Sequence, residues 1–225
     1  MIAAEVRRTA PRHTKLTNET FMAGERNPCR SRPSVQPGGR APAPGALALV
    51  QAFVNTHYDL EHQHGAELLA SPAALGAWLT ERGLIGTDIE VEDRDLRRAL
   101  AVRRALGALA DANTDRRGAL GAVHEQLNRA ALGAAVEIRF AADGPRFIAS
   151  RDAGVGGAIG VLLAIAAEAQ IDRSWYRLKV CPGTDCGWVF YDHSRNQAGR
   201  WCSMSVCGGR SKARTHYRRR RASVG

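Results

Sequence analysis

The chain has 225 residues, enough for one full domain with a small satellite, and its 32 Lys/Arg against 22 Asp/Glu leave it strongly basic, with a pI near 10.1. Only 6% of residues are aromatic while alanine, leucine and arginine dominate, which favours helices over a β-sandwich. The longest apolar run, Val155 to Ala167, contains three glycines and falls short of the roughly twenty residues a membrane span needs; no apolar core follows the N-terminal positive charges, so neither a membrane segment nor a secretion signal is expected and the location predicted is cytoplasmic.

The charge is unevenly placed. Residues 177–225 carry 11 Lys/Arg against 2 Asp/Glu and residues 1–44 carry 8 against 3, whereas residues 45–176 carry 13 against 17. A mildly acidic body with a cationic C-terminal module points to a polyanionic partner, nucleic acid ahead of membrane.

In chain order, residues 1–44 hold most of the prolines, scattered arginines and no periodicity, and read as a disordered basic leader in which Cys29 is an isolated thiol and Met22 an alternative start. A helical body is expected over 45–176. Leu47, Val50, Phe53 and Val54 recur at helical steps. His57, Glu61, His62 and His64 follow, poorly spaced for a metal; Asn55, His57 and Trp78 are instead candidates for lining a small-molecule effector pocket. Ser71-Pro72 predicts a helix start and Gly83 its end, with Leu75, Trp78 and Leu79 buried. Acidic residues at 90–95 open a long helix to about Asn113, with Arg103 on its apolar stripe, and a shorter helix carries Leu120, Val123, Leu127 and Ala131. Val136–Phe140 and Arg146–Ala149 flank Asp143-Gly144 as a β-hairpin. The glycine-rich segment from Gly154 leads into a helix apolar on nearly all sides; its glycine spacing misses the dinucleotide fingerprint, so close packing explains it better than a phosphate loop. The fold class expected is therefore mainly α with a small β-hairpin.

Residues 177–225 form the second module. Cys181 and Cys186 are separated by four residues, Cys202 and Cys207 by four, and the pairs by fifteen. Two close thiol pairs suit a tetrahedral Zn2+ with no open position, against two disulfides or four free thiols. Trp175–Val180 and Gly187–Tyr191 read as the strands of a zinc hairpin, and Trp188, Phe190 and Trp201 as its small core or as base-stacking platforms. Ser203 caps a basic helix on which Arg210, Arg214 and Arg218 share a face, widened by Lys212; with Arg195 and Arg200 in the connector these are the candidate nucleic-acid contacts. No carboxylate pair or Ser-His-Asp pattern stands out, so an enzyme is not expected.

Cys181, Cys186-Gly187-Trp188, Phe190, Asp192, Ser194-Arg195-Asn196, Arg200-Trp201-Cys202-Ser203-Met204, Cys207-Gly208, Arg210 and Lys212 together resemble the CGNR zinc finger of bacterial proteins that carry an N-terminal ABATE domain. Phe53-Val54-Asn55-Thr56 and Leu75 through Leu79 resemble ABATE signatures. The resemblance implies the four cysteines as zinc ligands and a stress-responsive transcription regulator whose finger binds DNA. The residues themselves leave two alternatives, an RNA-binding zinc module or a small-molecule-binding protein or enzyme with a purely structural zinc; the small footprint of a single finger suggests a homodimer through the helical body, which is expected to sense a small-molecule effector. Here Gly209 replaces the motif asparagine, giving Cys-Gly-Gly-Arg. That glycine preserves a left-handed backbone option and removes any base contact through the side chain.

Overall fold

The computed structural model describes residues 36–58, 66–115, 120–134, 136–142, 144–149 and 154–222. Cys29, His62 and His64 lie outside them. Helix α1 spans Leu47–Val54 and runs into a 3-10 turn at Asn55–His57. Helix α2, Pro72–Glu81, starts as the sequence dictates: the Ser71 hydroxyl accepts from the Ala74 N–H at 3.1 Å, proline occupies the first turn, and Gly83 at φ 63° turns the chain away. Helix α3, Asp93–Asp115, has Asp93 and Asp95 at its positive end, and α4 spans Gly121–Leu132. Strands β1 (Val136–Ala141) and β2 (Gly144–Ala149) form an antiparallel hairpin.

Helix α5, Gly154–Ile171, is long and apolar enough to cross a membrane by composition, but it is the core of the body: Val155, Ile159, Leu162 and Ile165 are among its eleven buried residues. Its glycines serve packing. A Cβ at Gly160 would sit 2.5 Å from the Ala134 carbonyl oxygen and 3.1 Å from Val136 Cγ2, so only glycine lets the hairpin lie against this helix. Around α5 pack α1, α3, α4 and the hairpin, and the cluster includes Phe53, Leu75, Leu106 and Trp175.

The second module begins with a 3-10 turn, Ser174–Arg177, where a strand was expected from Trp175 onward; the paired segment β3 is only Leu178–Val180, antiparallel to β4, Val189–Tyr191. Trp175 is 1% exposed and seated in the core of the body, which holds its backbone out of the sheet. A π turn, Met204–Gly208, leads into α6, Gly209–Ala222, with Ser203 Oγ accepting from the Val206 N–H.

The expected leader boundary at residue 44 needs correcting. Residues 36–43 form a structured strap across the join between body and module, with a 3-10 turn at Pro37–Gly39 and buried Gln36 and Ala43. Proline and glycine density at 37–45 looks like disorder, but the strap is held by side chains from both modules, which no local periodicity reveals. Gln51, fully buried in α1, accepts from the Ala43 N–H at 2.7 Å and donates to Gln36 Oε1 at 3.0 Å and to the Val189 carbonyl at 3.1 Å.

Candidate metal centre and basic helix

Four sulfurs converge where β3, β4 and the π turn meet. Cys181, Cys186, Cys202 and Cys207 place their Sγ atoms within 4.8 Å of one another, and the Cys186–Cys202 and Cys202–Cys207 pairs are each 3.7 Å apart. A disulfide would need about 2.05 Å, whereas the edge of a tetrahedron with Zn–S bonds of about 2.3 Å is about 3.8 Å. All four thiols are free, and the donor set fits a closed, tetrahedral, thiolate-preferring cation.

The backbone is shaped around the sulfurs. Asp185 (φ 59°) and Gly187 (φ 60°) turn the chain on either side of Cys186, and the N–H groups of Gly183 and Cys202 donate to Cys181 while that of Trp188 donates to Cys186. A Cβ at Gly183 would lie 3.1 Å from Cys207 Sγ and 3.4 Å from Cys181 Sγ, so that turn is closed against the cluster. Without a cation Cys181, Cys186 and Cys202 compete for one negative charge. Hydrogen bonds from the Cys186 and Cys202 thiols hold Cys181 down at about 2, while Cys186 is pushed up to about 12 and Cys202 higher still, each chiefly by its bond to Cys181. Ionising these three together is therefore opposed unless a cation neutralises them.

A second knot organises the connector between the cysteine pairs. Lys179 Nζ, on β3, donates to Asp192 Oδ2 at 2.8 Å, to the Gly199 carbonyl at 3.2 Å and to the Gln197 carbonyl. Asp192 also accepts from Ser194 N–H and Oγ and from the Gly199 N–H at 2.8 Å. Burial alone would raise this carboxyl, but the bonds from Lys179, Ser194 and Gly199 hold it at about 2. Glycine is required at 199, where a Cβ would lie 2.8 Å from the carboxylate.

The module is clamped to the body at both strands. Asn55 Nδ2 donates to the Val189 carbonyl and its Oδ1 accepts from the Val189 N–H, both at 2.8 Å. On the other strand, Thr114 Oγ1 accepts from the Val180 N–H at 2.9 Å. The strap adds Arg40, whose guanidinium donates to the carbonyls of Tyr191, Trp201 and Cys202 and lies 4.8 Å from the centre of the Phe190 ring. Trp188 Nε1 donates to Gln36 Oε1.

The candidate pocket residues are not brought together. Asn55 is buried and spends its carboxamide on Val189; Trp78 is core, tilted against Phe53 at 5.6 Å and covered by Arg82. His57 does line a cleft of about 330 Å³ between the body and the module, with Arg103, Arg104, Asp111 and Gly187. Arg103 is no solvent residue: it forms a bidentate pair with Glu67 at 2.6 and 2.5 Å and donates to Thr56 Oγ1. Burial pushes Glu67 up, but the guanidinium and the Leu69 N–H outweigh it and its pKa is lowered.

Of the candidate nucleic-acid contacts, Arg195 and Arg200 in the connector and Arg210, Lys212 and Arg214 on α6 are all exposed; the Arg218 side chain lies outside the described residues. Trp188 (5% exposed) and Phe190 (0%) form the small core with the cysteines, which removes them as stacking platforms. Gly209 is right-handed helical (φ −61°, ψ −47°), and a Cβ there would meet only the Met204 carbonyl at 3.7 Å. The left-handed option expected of this glycine is not used; asparagine would fit.

A helical body carrying a docked four-cysteine module with a basic terminal helix defines the class. The ABATE family, described as "putative stress-induced transcription regulator", matches residues 35–172, and the CGNR zinc finger matches residues 177–220. The chain belongs to the ABATE family and ends in a CGNR zinc finger. No curated protein matches it. The family match begins at residue 35, one position before the strap.

Proposed function

We propose that the protein is a transcription regulator that holds one Zn2+ on Cys181, Cys186, Cys202 and Cys207 and binds duplex DNA through α6. The observation that carries this is the placement of α6: it leaves the cluster two residues after Cys207, and Arg210, Lys212, Arg214, Arg219 and Arg220 are exposed along a helix with no acidic residue. The metal would fix the first turn of α6, because Cys207 lies in the π turn that opens it. Arg210 and Arg214, four residues apart, present one charged face to a phosphate ridge, with Arg195 and Arg200 as secondary contacts. Burial of Trp188 and Phe190 favours duplex DNA over unpaired RNA. The role is binding rather than catalysis, in the cytoplasm, and an effector would find its place in the His57 cleft, which both modules wall.

Fluorescence anisotropy with labelled duplex DNA tests this alongside metal quantification. One zinc per chain is expected, with a log affinity–log salt slope of roughly −4.5 if about five phosphates are engaged. Reversing Arg210 and Arg214 to glutamate should weaken binding at least about tenfold while the zinc content is unchanged. Salt-independent binding, or stronger binding to single-stranded RNA, would overturn the duplex assignment.

A further inference from the structure

The hairpin β1–β2 rests on α5 at its base and along β2, where the Phe147 N–H donates to the Glu168 carboxylate. Val136 and Ala149, opposite each other in the register, lie against Gly160, while further along the same face Ile138 is 58% exposed and Phe140 87% exposed. Leu132, at the end of α4, is 88% exposed. Among the described residues β1 pairs only with β2, so its outer edge is open.

Which backbone groups face that edge follows from the register. Two residues separate Ala141 from Gly144, a loop length that makes these two a hydrogen-bonded pair. Alternation then directs Arg139 and Glu137 toward β2, and leaves the N–H and C=O groups of Val136, Ile138 and Phe140 pointing outward.

The sequence of this edge is Val136-Glu137-Ile138-Arg139-Phe140: apolar, acidic, apolar, basic, apolar. Reversed about Ile138, it becomes apolar, basic, apolar, acidic, apolar, which is its own charge complement. Within the chain Glu137 and Arg139 already meet at 3.3 Å, but both are 65% exposed, so this pair is solvated and free to exchange partners.

We propose that β1 is a dimer seam, on which a second copy of this chain pairs antiparallel about a twofold axis at Ile138. Each Glu137 lies opposite the other copy's Arg139, Val136 lies opposite Phe140, and the two hairpins become one four-stranded sheet. The register uses the outward-facing groups of Val136, Ile138 and Phe140, and covers an apolar edge that a lone chain leaves as an aggregation template. It is independent of what α6 binds, and it moves the expected dimer contact from the helices to the hairpin.

Sedimentation velocity on the full chain tests it. The wild type should sediment at about twice the 24.3 kDa chain mass. Glu137→Arg and Arg139→Glu, each placing like charges opposite one another twice, should each weaken self-association at least about tenfold. Mixing the two variants should restore a dimer, since the arginine-only edge of one then meets the glutamate-only edge of the other; the double reversal E137R/R139E should also dimerise. A monomeric wild type, a dimer indifferent to both single reversals, or single variants that stay monomeric when mixed would each overturn the proposal.

Discussion

Asn55 and Val189 exchange a complete pair of hydrogen bonds, 2.8 Å in each direction, so a side chain of the 3-10 turn after α1 pairs with the outer edge of β4 as a third strand would. Gln51, one turn earlier, donates to the same carbonyl at 3.1 Å. The zinc finger is thereby part of the folded body rather than a tethered satellite. Asn55→Ala leaves the Val189 carbonyl with Gln51 but orphans its buried N–H, at a cost of about 1–3 kcal/mol. Urea denaturation should show that loss, and hydrogen exchange at Val189 should accelerate roughly tenfold to a hundredfold. An unchanged exchange rate would mean that another contact holds β4.

Arg40 acts across the same join from the other side. Three carbonyls, two of them at the start of the second cysteine pair (Trp201 and Cys202), accept from one guanidinium. Arg40→Ala should destabilise by about 1.5–3 kcal/mol, the range for charged hydrogen bonds, and should speed metal transfer to a chelator. Arg40→Lys keeps the charge but lacks the planar fork that spans three acceptors, so it should fall between wild type and alanine.

The parts of this architecture legible in the sequence are those with short-range causes. The Ser71-Pro72 start, the Gly83 stop, the period of α3 and the two cysteine pairs depend on neighbours a few residues away. Lys179, Gln36 and Arg40 carry no local signal, and Asp192 stands in the finger motif with no sign of its ion pair, because their meaning lies in partners elsewhere in the chain; Gln36 meets Trp188 across 152 positions. One signal was present: Gln51 occupies a buried phase of an otherwise apolar helix, and a polar residue there requires a partner. Asn55 carried a similar signal but suggested a ligand pocket, when the polar partner was the chain's own backbone.

Lys179 and Asp192 form a buried ion pair, with side chains 10% and 1% exposed. Removing either partner strands a charge, so Lys179→Met and Asp192→Asn should each cost about 3–5 kcal/mol at pH 7, and the double variant less than the sum of the two. The Asp192 carboxyl is depressed from 3.8 to about 2, so the stability it contributes is complete above its unfolded value and is lost as pH falls through about 2. The stability gap between wild type and Asp192→Asn, from denaturant titrations, should stay constant from pH 7 to about pH 5 and narrow at about pH 3. A gap that widens in acid would give the titration to another group.

Gly209 is the position where the chain departs from the motif that its family resemblance supplies. Its backbone is an ordinary right-handed helix at the first residue of α6, and a Cβ there would make no more than a van der Waals contact with the Met204 carbonyl at 3.7 Å. Glycine here therefore costs helix stability without a steric reason, and Gly209→Ala should stabilise the first turn by about 0.5–1 kcal/mol. Gly209→Asn should recover less of that, because asparagine is a poorer helix former, while restoring a side chain beside Arg210. Comparing the two variants in DNA-binding titrations separates the contributions. Equal affinity gains in both would trace to a firmer helix alone; a gain confined to asparagine, dependent on DNA sequence, would show a base contact that the present chain lacks.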